Sequence, residues 1–177
     1  MARRLPTWLN ASERRQLLKA SLAAREWAVI CTFIYAGLRS NELSMLDIRD
    51  LDFEEMTLFV RFGKRAKQRV VPLHAEAAAA IDAYLEGRTD GPVFLSSRGG
   101  RLSNRRLRSL VKEIGGQAGL VKELHPHALR HTFAVSLLDA GEDLETIRDL
   151  LGHESIQTTS IYLHCSVAKR RAAIDAL

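Results

Sequence analysis

The side chains with the clearest chemical promise are arginines, histidines and one tyrosine, the arginines and histidines set at spacings suited to holding a phosphoryl group. In the run His125-Pro126-His127-Ala128-Leu129-Arg130-His131, steps of three and four residues put His127, Arg130 and His131 on one face of a predicted helix. They fall at its N-terminal end, where free backbone N–H groups also favour anions. Arginine forks and imidazole N–H groups match phosphoryl oxygens. His127 and His131 also stand at the i,i+4 step of a zinc pair. Against that reading, Arg130 fixes a positive charge beside them, no glutamate follows the first histidine, and no cysteine or carboxylate lies close in sequence. No metal is expected.

Arg39 follows Gly37-Leu38 at a boundary between two helices, and Glu42, three residues on, is near enough to orient its guanidinium. His153 follows Gly152 just past a helix end, with Tyr162 nine residues further along. Taken singly, a boundary arginine reads as solvated surface and a tyrosine on an amphipathic helix as packing. Thr158, Thr159, Ser160 and His164 give Tyr162 a partly polar setting.

The elements that must position these groups are mostly helical. Asn10 with Glu13 resembles a capping box before a first helix. A largely apolar helix is predicted over 26–36, stopped by Gly37, and Ser40 is placed to cap a short helix through Glu42 and Leu46. The period then changes. Strands are predicted over 57–62 and 69–73, joined by the positively charged tip Gly63-Lys64-Arg65-Ala66-Lys67. An Ala-rich helix over 75–86, a short strand over 92–95 and a turn at Arg98-Gly99-Gly100 follow. Helices are then expected over 104–118, 127–139, 144–151 and 156–163. The fold class is mainly α with one small antiparallel β-sheet, an α+β domain.

The 177 residues suffice for one domain with a proper core, and 46% hydrophobic with 27% charged residues fits a soluble globular chain. The net charge of +5 points to an anionic partner without specifying it. The longest apolar run, Trp27 to Ala36 around Thr32, is about half of what a membrane crossing needs. Met1-Ala2-Arg3-Arg4 is not followed by the apolar stretch of a signal peptide. Cys31 and Cys165 do not make a disulfide framework. A cytoplasmic, nucleoid-associated protein with no membrane partner is expected.

Together these residues resemble the tyrosine recombinases and phage-type integrases, most of all the Xer-like branch. Gly37-Leu38-Arg39-Ser40-Asn41-Glu42-Leu43 is similar to that family's first-arginine motif, and Gly63 to Leu73 to the hairpin that carries its lysine. Pro126 to Ala134 matches its His-x-x-Arg box. Leu150-Leu151-Gly152-His153, followed by Thr158-Thr159-Ser160-Ile161-Tyr162, matches the second histidine and the nucleophile, in family order.

The resemblance implies a tyrosine recombinase catalytic-domain fold and a site-specific recombinase that cleaves and religates DNA. Tyr162 would attack a phosphodiester to form a 3′-phosphotyrosine and a free 5′-hydroxyl. Arg39 and Arg130 would hold the non-bridging oxygens, His153 would add a hydrogen bond, and His127 would accept the phenolic proton. Lys64 would protonate the leaving oxygen; Lys67 and Arg65 share its tip, and the family register favours Lys64. Glu42 and His131 would support these groups. No cofactor is implied, neither ATP nor metal. The remaining basic residues, among them Arg61, Arg65, Lys67, Arg69, Arg105 and Arg106, are candidates for the DNA backbone, with Arg98, Arg101 and Arg108 close by.

By the same resemblance, residues 1–177 form the catalytic domain, and the family's N-terminal core-binding domain is expected to be absent, leaving weak DNA affinity. The partner is double-stranded DNA, with a tetramer on DNA expected of a full-length protein and a monomer for the isolated domain. A type IB topoisomerase-like enzyme, a DNA-binding accessory protein of the same fold and a metal hydrolase are the rival readings.

Overall fold

The structure is a computed structural model that describes residues 7–61, 68–153, 155–160 and 162. The hairpin tip with Lys64, Arg65 and Lys67, the tail and Cys165 lie outside these residues. Eight helices and a three-stranded sheet are present among them. In chain order they are α1 (Ala11–Leu18), α2 (Ala24–Ala36), α3 (Ser40–Ser44), β1 (Leu51–Asp52), β2 (Thr57–Val60), β3 (Arg69–Pro72), α4 (Ala75–Leu85), α5 (Asn104–Gln117), α6 (Pro126–Asp139), α7 (Leu144–Leu151) and α8 (Ile156–Thr159). The expected mainly helical class is borne out.

Local signals fix most boundaries. The Asn10 carboxamide accepts from Glu13 N–H at 2.9 Å while Glu13 accepts from Asn10 N–H at 2.8 Å, so the capping box at α1 forms in both directions. Ala28 through Ile34 in α2 are all buried, which makes this helix the centre of the core, packed on α4 and α6. Each large aliphatic or aromatic side chain buried there contributes about 1.5–3 kcal/mol. α2 ends where Gly37 turns left-handed, at φ 59°. The predicted cap at Ser40 is not made. Ser40 is instead the first, buried residue of α3, and the Glu42 carboxylate takes Arg39 N–H at 2.8 Å. The carboxylate thus satisfies the N–H of Arg39, the residue before the helix, whereas a capping hydroxyl would accept from N–H groups inside its first turn.

The sheet is antiparallel in the order β1-β2-β3, with Leu58 opposite both Leu51 and Val71. β1 has two residues, too few for periodicity to reveal. The strand expected over 92–95 is reduced to isolated bridges, Asp47 with Pro92 and Leu95 with Arg101. β3 meets the C-terminal end of α7 through Arg69, and α6 packs against α2 and α7.

Gly37 allows α6 to pack closely on the end of α2. A Cβ there would lie 2.2 Å from Cδ1 of Phe133 in α6, and the backbone is already left-handed. Gly37→Ala should therefore cost about 2–4 kcal/mol from overpacking and backbone strain together. Urea denaturation should register this as a lower midpoint with an unchanged slope; an unaltered midpoint would contradict the packing described.

Candidate active site

Four segments meet at the C-terminal end of α7. A helix terminus leaves its last carbonyls without intrahelical partners, and here each finds one. Arg148 and Asp149 carbonyls accept from His153 and Gly152 N–H, both at 3.0 Å, as the chain turns left-handed at Gly152. The next three carbonyls go to three different arginines. Leu150 O accepts from Arg69 Nε at 2.9 Å, Leu151 O from Arg130 Nη2 at 2.5 Å, and Gly152 O from Arg39 Nη2 at 2.9 Å. The negative end of the helix dipole favours cations here.

One buried carboxylate binds the same three guanidinium groups. Glu42 Oε1 accepts from Arg39 Nη1 at 2.7 Å and from Arg69 Nη1 at 3.0 Å. Its Oε2 accepts from Arg69 Nη2 at 2.9 Å and lies 3.8 Å from Arg130 Nη1. Burial alone would raise the Glu42 pKa. The paired hydrogen bonds and charge of Arg69, then Arg39 N–H and Arg130, overcome this and hold it at about 2. Arg130 also donates from Nη1 to Gly37 O at 2.6 Å, so the α2 cap and the end of α7 share one side chain. Its charge is opposed by burial and by Arg39, and supported by Glu42. The Arg39 side chain remains 24% exposed, the most open of the three.

The histidines sit around this centre in neutral form. Burial first, then Arg130 and Arg39, pushes His153 down to about 3, and its Nδ1 lies 3.0 Å from Thr159 Oγ1. Burial first, then His127 and Arg130, pushes His131 down to about 4. His131 Nδ1 is 2.7 Å from Tyr162 Oη. Tyr162 itself is 1% exposed, packed with Phe133, Ala134, Ile147 and Leu151. It lies near enough to Arg130 to favour that residue's charge. His127 reaches solvent at the first turn of α6; partial desolvation of its ring, then Arg130, lowers its pKa. The phenolic hydroxyl therefore meets His131, which the sequence reading had given a supporting part.

Of the expected residues, Arg39, Glu42, Arg130, His131, His153 and Tyr162 come together, with His127 at their edge. The basic residues divide. Arg69, with a side chain 9% exposed, faces Glu42 rather than solvent. Arg61 pairs with Asp47 at 2.5 Å and Asp50 at 2.6 Å. Arg101 also holds Asp47, and its Nη1 donates to Ser44 O and Leu46 O. Arg106 pairs with Glu113 at the surface, and Arg105 and Arg98 are exposed. Arg25, Arg98, Arg101 and Arg106, with Ser97 and Ser103, line a cleft of about 410 Å³ at the start of α5. Sequence reasoning missed the place of Arg69, because its partners lie 27 and 81 residues away. Among the described residues no group of three or more His, Cys, Asp or Glu is placed to hold a metal ion, and no helix is long and apolar enough to cross a membrane.

A mainly helical domain whose arginines and tyrosine converge in this way has known counterparts. Residues 7–169 match the Phage integrase family, and the chain belongs to it. It is similar to Tyrosine recombinase XerC of Oceanobacillus iheyensis, 39% identical over 184 residues, and of Haemophilus ducreyi, 39% identical over 185 residues. These alignments cover 96% and 99% of this chain and 60% of each relative. The chain thus spans about 60% of the length of these curated relatives. Among solved structures, that of XerA recombinase aligns with a TM-score of 0.87 at 32% identity, over 99% of this chain and 65% of that one. A post-cleavage complex of XerH site-specific recombinase bound to palindromic difH substrate aligns with a TM-score of 0.81 at 30% identity, over 97% and 53%. The resemblance to tyrosine recombinases of the Xer-like branch is borne out.

The Glu42 pKa carries a stability consequence. Its value in the fold lies below the ordinary 4.5, so its contribution is full above that pH and is lost as pH falls towards 2. Between about pH 5 and pH 3, the stability advantage of the wild type over Glu42→Gln should shrink by about 2 kcal/mol. A constant advantage across that range would mean that Glu42 is not held ionised by the arginines.

Proposed function

We propose that this chain is the DNA-cleaving domain of a site-specific tyrosine recombinase, which breaks and rejoins double-stranded DNA through a covalent bond to Tyr162. The observation that carries this reading is the convergence of Arg39, Arg130, His153 and the His131–Tyr162 pair on the end of α7. In-line attack on a phosphodiester spreads negative charge over the non-bridging oxygens, and pre-placed donors are what stabilise it. Each terminal guanidinium nitrogen carries two N–H groups. Arg39 and Arg130 can therefore keep their carbonyl partners while offering further donors to a phosphate. His153, neutral at physiological pH and with Nδ1 on Thr159, would donate from Nε2.

His131 or His127 would take the phenolic proton. His131 has the distance for it and, when neutral, a lone pair to accept it. Tyr162 is packed away from solvent, so attack requires it to leave this packing once DNA occupies the arginine site. The phosphodiester energy is kept in the tyrosyl linkage, so rejoining by the 5′-hydroxyl needs no ATP. Lys64 would protonate the 5′-oxygen as it leaves. Cationic side chains take the charge-neutralising part that metal ions play in other nucleases. The exposed Arg105 and the cleft of Arg98, Arg101 and Arg106 would track the DNA backbone. Action in the cytoplasm on the nucleoid follows, as does a tetramer on DNA for a full-length protein that carries a core-binding domain.

A nicked suicide duplex tests this reading. The wild-type chain should form a denaturation-resistant protein–DNA adduct, unaffected by chelator, and Tyr162→Phe should form none. An adduct that persists in Tyr162→Phe, or none with the wild type, would overturn it. DNA affinity should also fall linearly in log–log form with salt, since arginines that neutralise phosphates release condensed counterions.

A further inference from the structure

Arg69 stands in the hairpin strand β3, where a basic side chain is most simply read as a backbone phosphate contact. Its surroundings give it other work. All three guanidinium nitrogens are engaged within the protein: Nε on Leu150 O at 2.9 Å, Nη1 on Glu42 Oε1 at 3.0 Å and Nη2 on Glu42 Oε2 at 2.9 Å. The contact with Glu42 is a two-pronged fork, the geometry in which arginine differs most from lysine. The backbone has made room for it. A Cβ on Gly152 would lie 2.9 Å from Arg69 Nη1 and 3.2 Å from Cδ and Cζ, so any larger residue at this left-handed turn would push Arg69 from its place.

Glu42 divides one negative charge among three guanidinium groups. Without Arg69, that charge would fall on Arg39 and Arg130 alone and draw both inwards, away from an incoming phosphate. The Leu150 carbonyl would also lose its partner, loosening the turn that carries Gly152 and His153. We propose that Arg69 is a positioning residue for strand cleavage: it clamps Glu42 to the end of α7, so that Arg39 and Arg130 are held outward at the spacing a phosphodiester needs. This rests on the cleavage reading above. It assigns to Arg69 no contact with DNA.

The chemistry of the substrate provides the test. A methylphosphonate at the scissile position replaces one charged oxygen by a methyl group and leaves a neutral linkage, which asks little of charge-neutralising arginines. Wild type, Arg69→Gln and Arg69→Lys would be compared on suicide duplexes carrying either linkage, with DNA binding followed by fluorescence anisotropy. On the phosphodiester, both variants should form adduct about a hundredfold more slowly, the penalty of displacing a catalytic group by about an ångström. Binding should change by less than about twofold, because no phosphate contact is removed. On the neutral linkage the deficit should narrow to within about threefold, because misplaced arginines matter less there.

An equal deficit on both linkages would mean that Arg69 only holds the fold together. A loss of binding that tracks the loss of rate would make it a DNA contact. Either result overturns the proposal, as does a variant with no deficit. Should Arg69→Gln fail to fold, as a thermal melt would reveal, Arg69→Lys carries the comparison, since it keeps the charge and length and lacks the fork. If the wild type itself forms no adduct, the cleavage reading is what fails.

Discussion

The structure turns on one buried carboxylate. Glu42 binds Arg39 and Arg69, lies near Arg130, and each of those arginines takes one of three consecutive carbonyls at the end of α7. The arrangement closes on itself. The arginines need the carboxylate because like charges repel at this range, and the carboxylate is ionised in a buried site only because the arginines surround it. The arginines satisfy carbonyls that the helix end leaves without intrahelical partners. Breaking any one of these contacts leaves a buried charge or a polar group unsatisfied, at about 3–5 kcal/mol for a charge. The same economy gives the site its rigidity. Arg39 comes from the α2–α3 boundary, Arg69 from the sheet and Arg130 from α6, so three parts of the chain are held in register around one carboxylate.

Around this rigid centre lie groups whose state the burial sets. His131 and His153 are kept neutral by burial and by the adjacent guanidinium charge, so each carries one lone pair to accept a proton and one N–H to donate a hydrogen bond. Tyr162 shares their environment. Its ring belongs to the small hydrophobic cluster of α6 and α7, and its hydroxyl is spent on His131. The arginine site is thus preorganised while the tyrosine is held back. That pairing suits an enzyme whose nucleophile acts only once a duplex is in place.

Where function depends on local spacing, the chain is legible without its structure. The capping box at Asn10, the stop at Gly37 and the helix that carries His127, Arg130 and His131 all depend on residues within a turn of each other. So does the pairing of Arg39 with Glu42, three residues apart. What could not be read are contacts between residues distant in sequence. Arg69 and Arg61 look like phosphate ligands on a basic hairpin, because nothing nearby in sequence announces Glu42 or the Asp47–Asp50 pair as their partners. The hydroxyl of Tyr162 meets His131, 31 residues away, a pairing set by tertiary packing and not by any local spacing. Ser40 satisfies the composition of a helix cap but is buried inside α3, and the Glu42 carboxylate two residues later takes Arg39 N–H.

The central claim is that the arginine site presents a DNA phosphate to Tyr162, with the 3′ end of the broken strand becoming attached. Digestion of the trapped protein–DNA complex with nuclease and trypsin, followed by tandem mass spectrometry, tests it most directly. The account predicts one modified peptide, with a nucleotide 3′-phosphate esterified to the oxygen of Tyr162. A phosphate on any other side chain, or a linkage to the 5′ end of the strand, would contradict it.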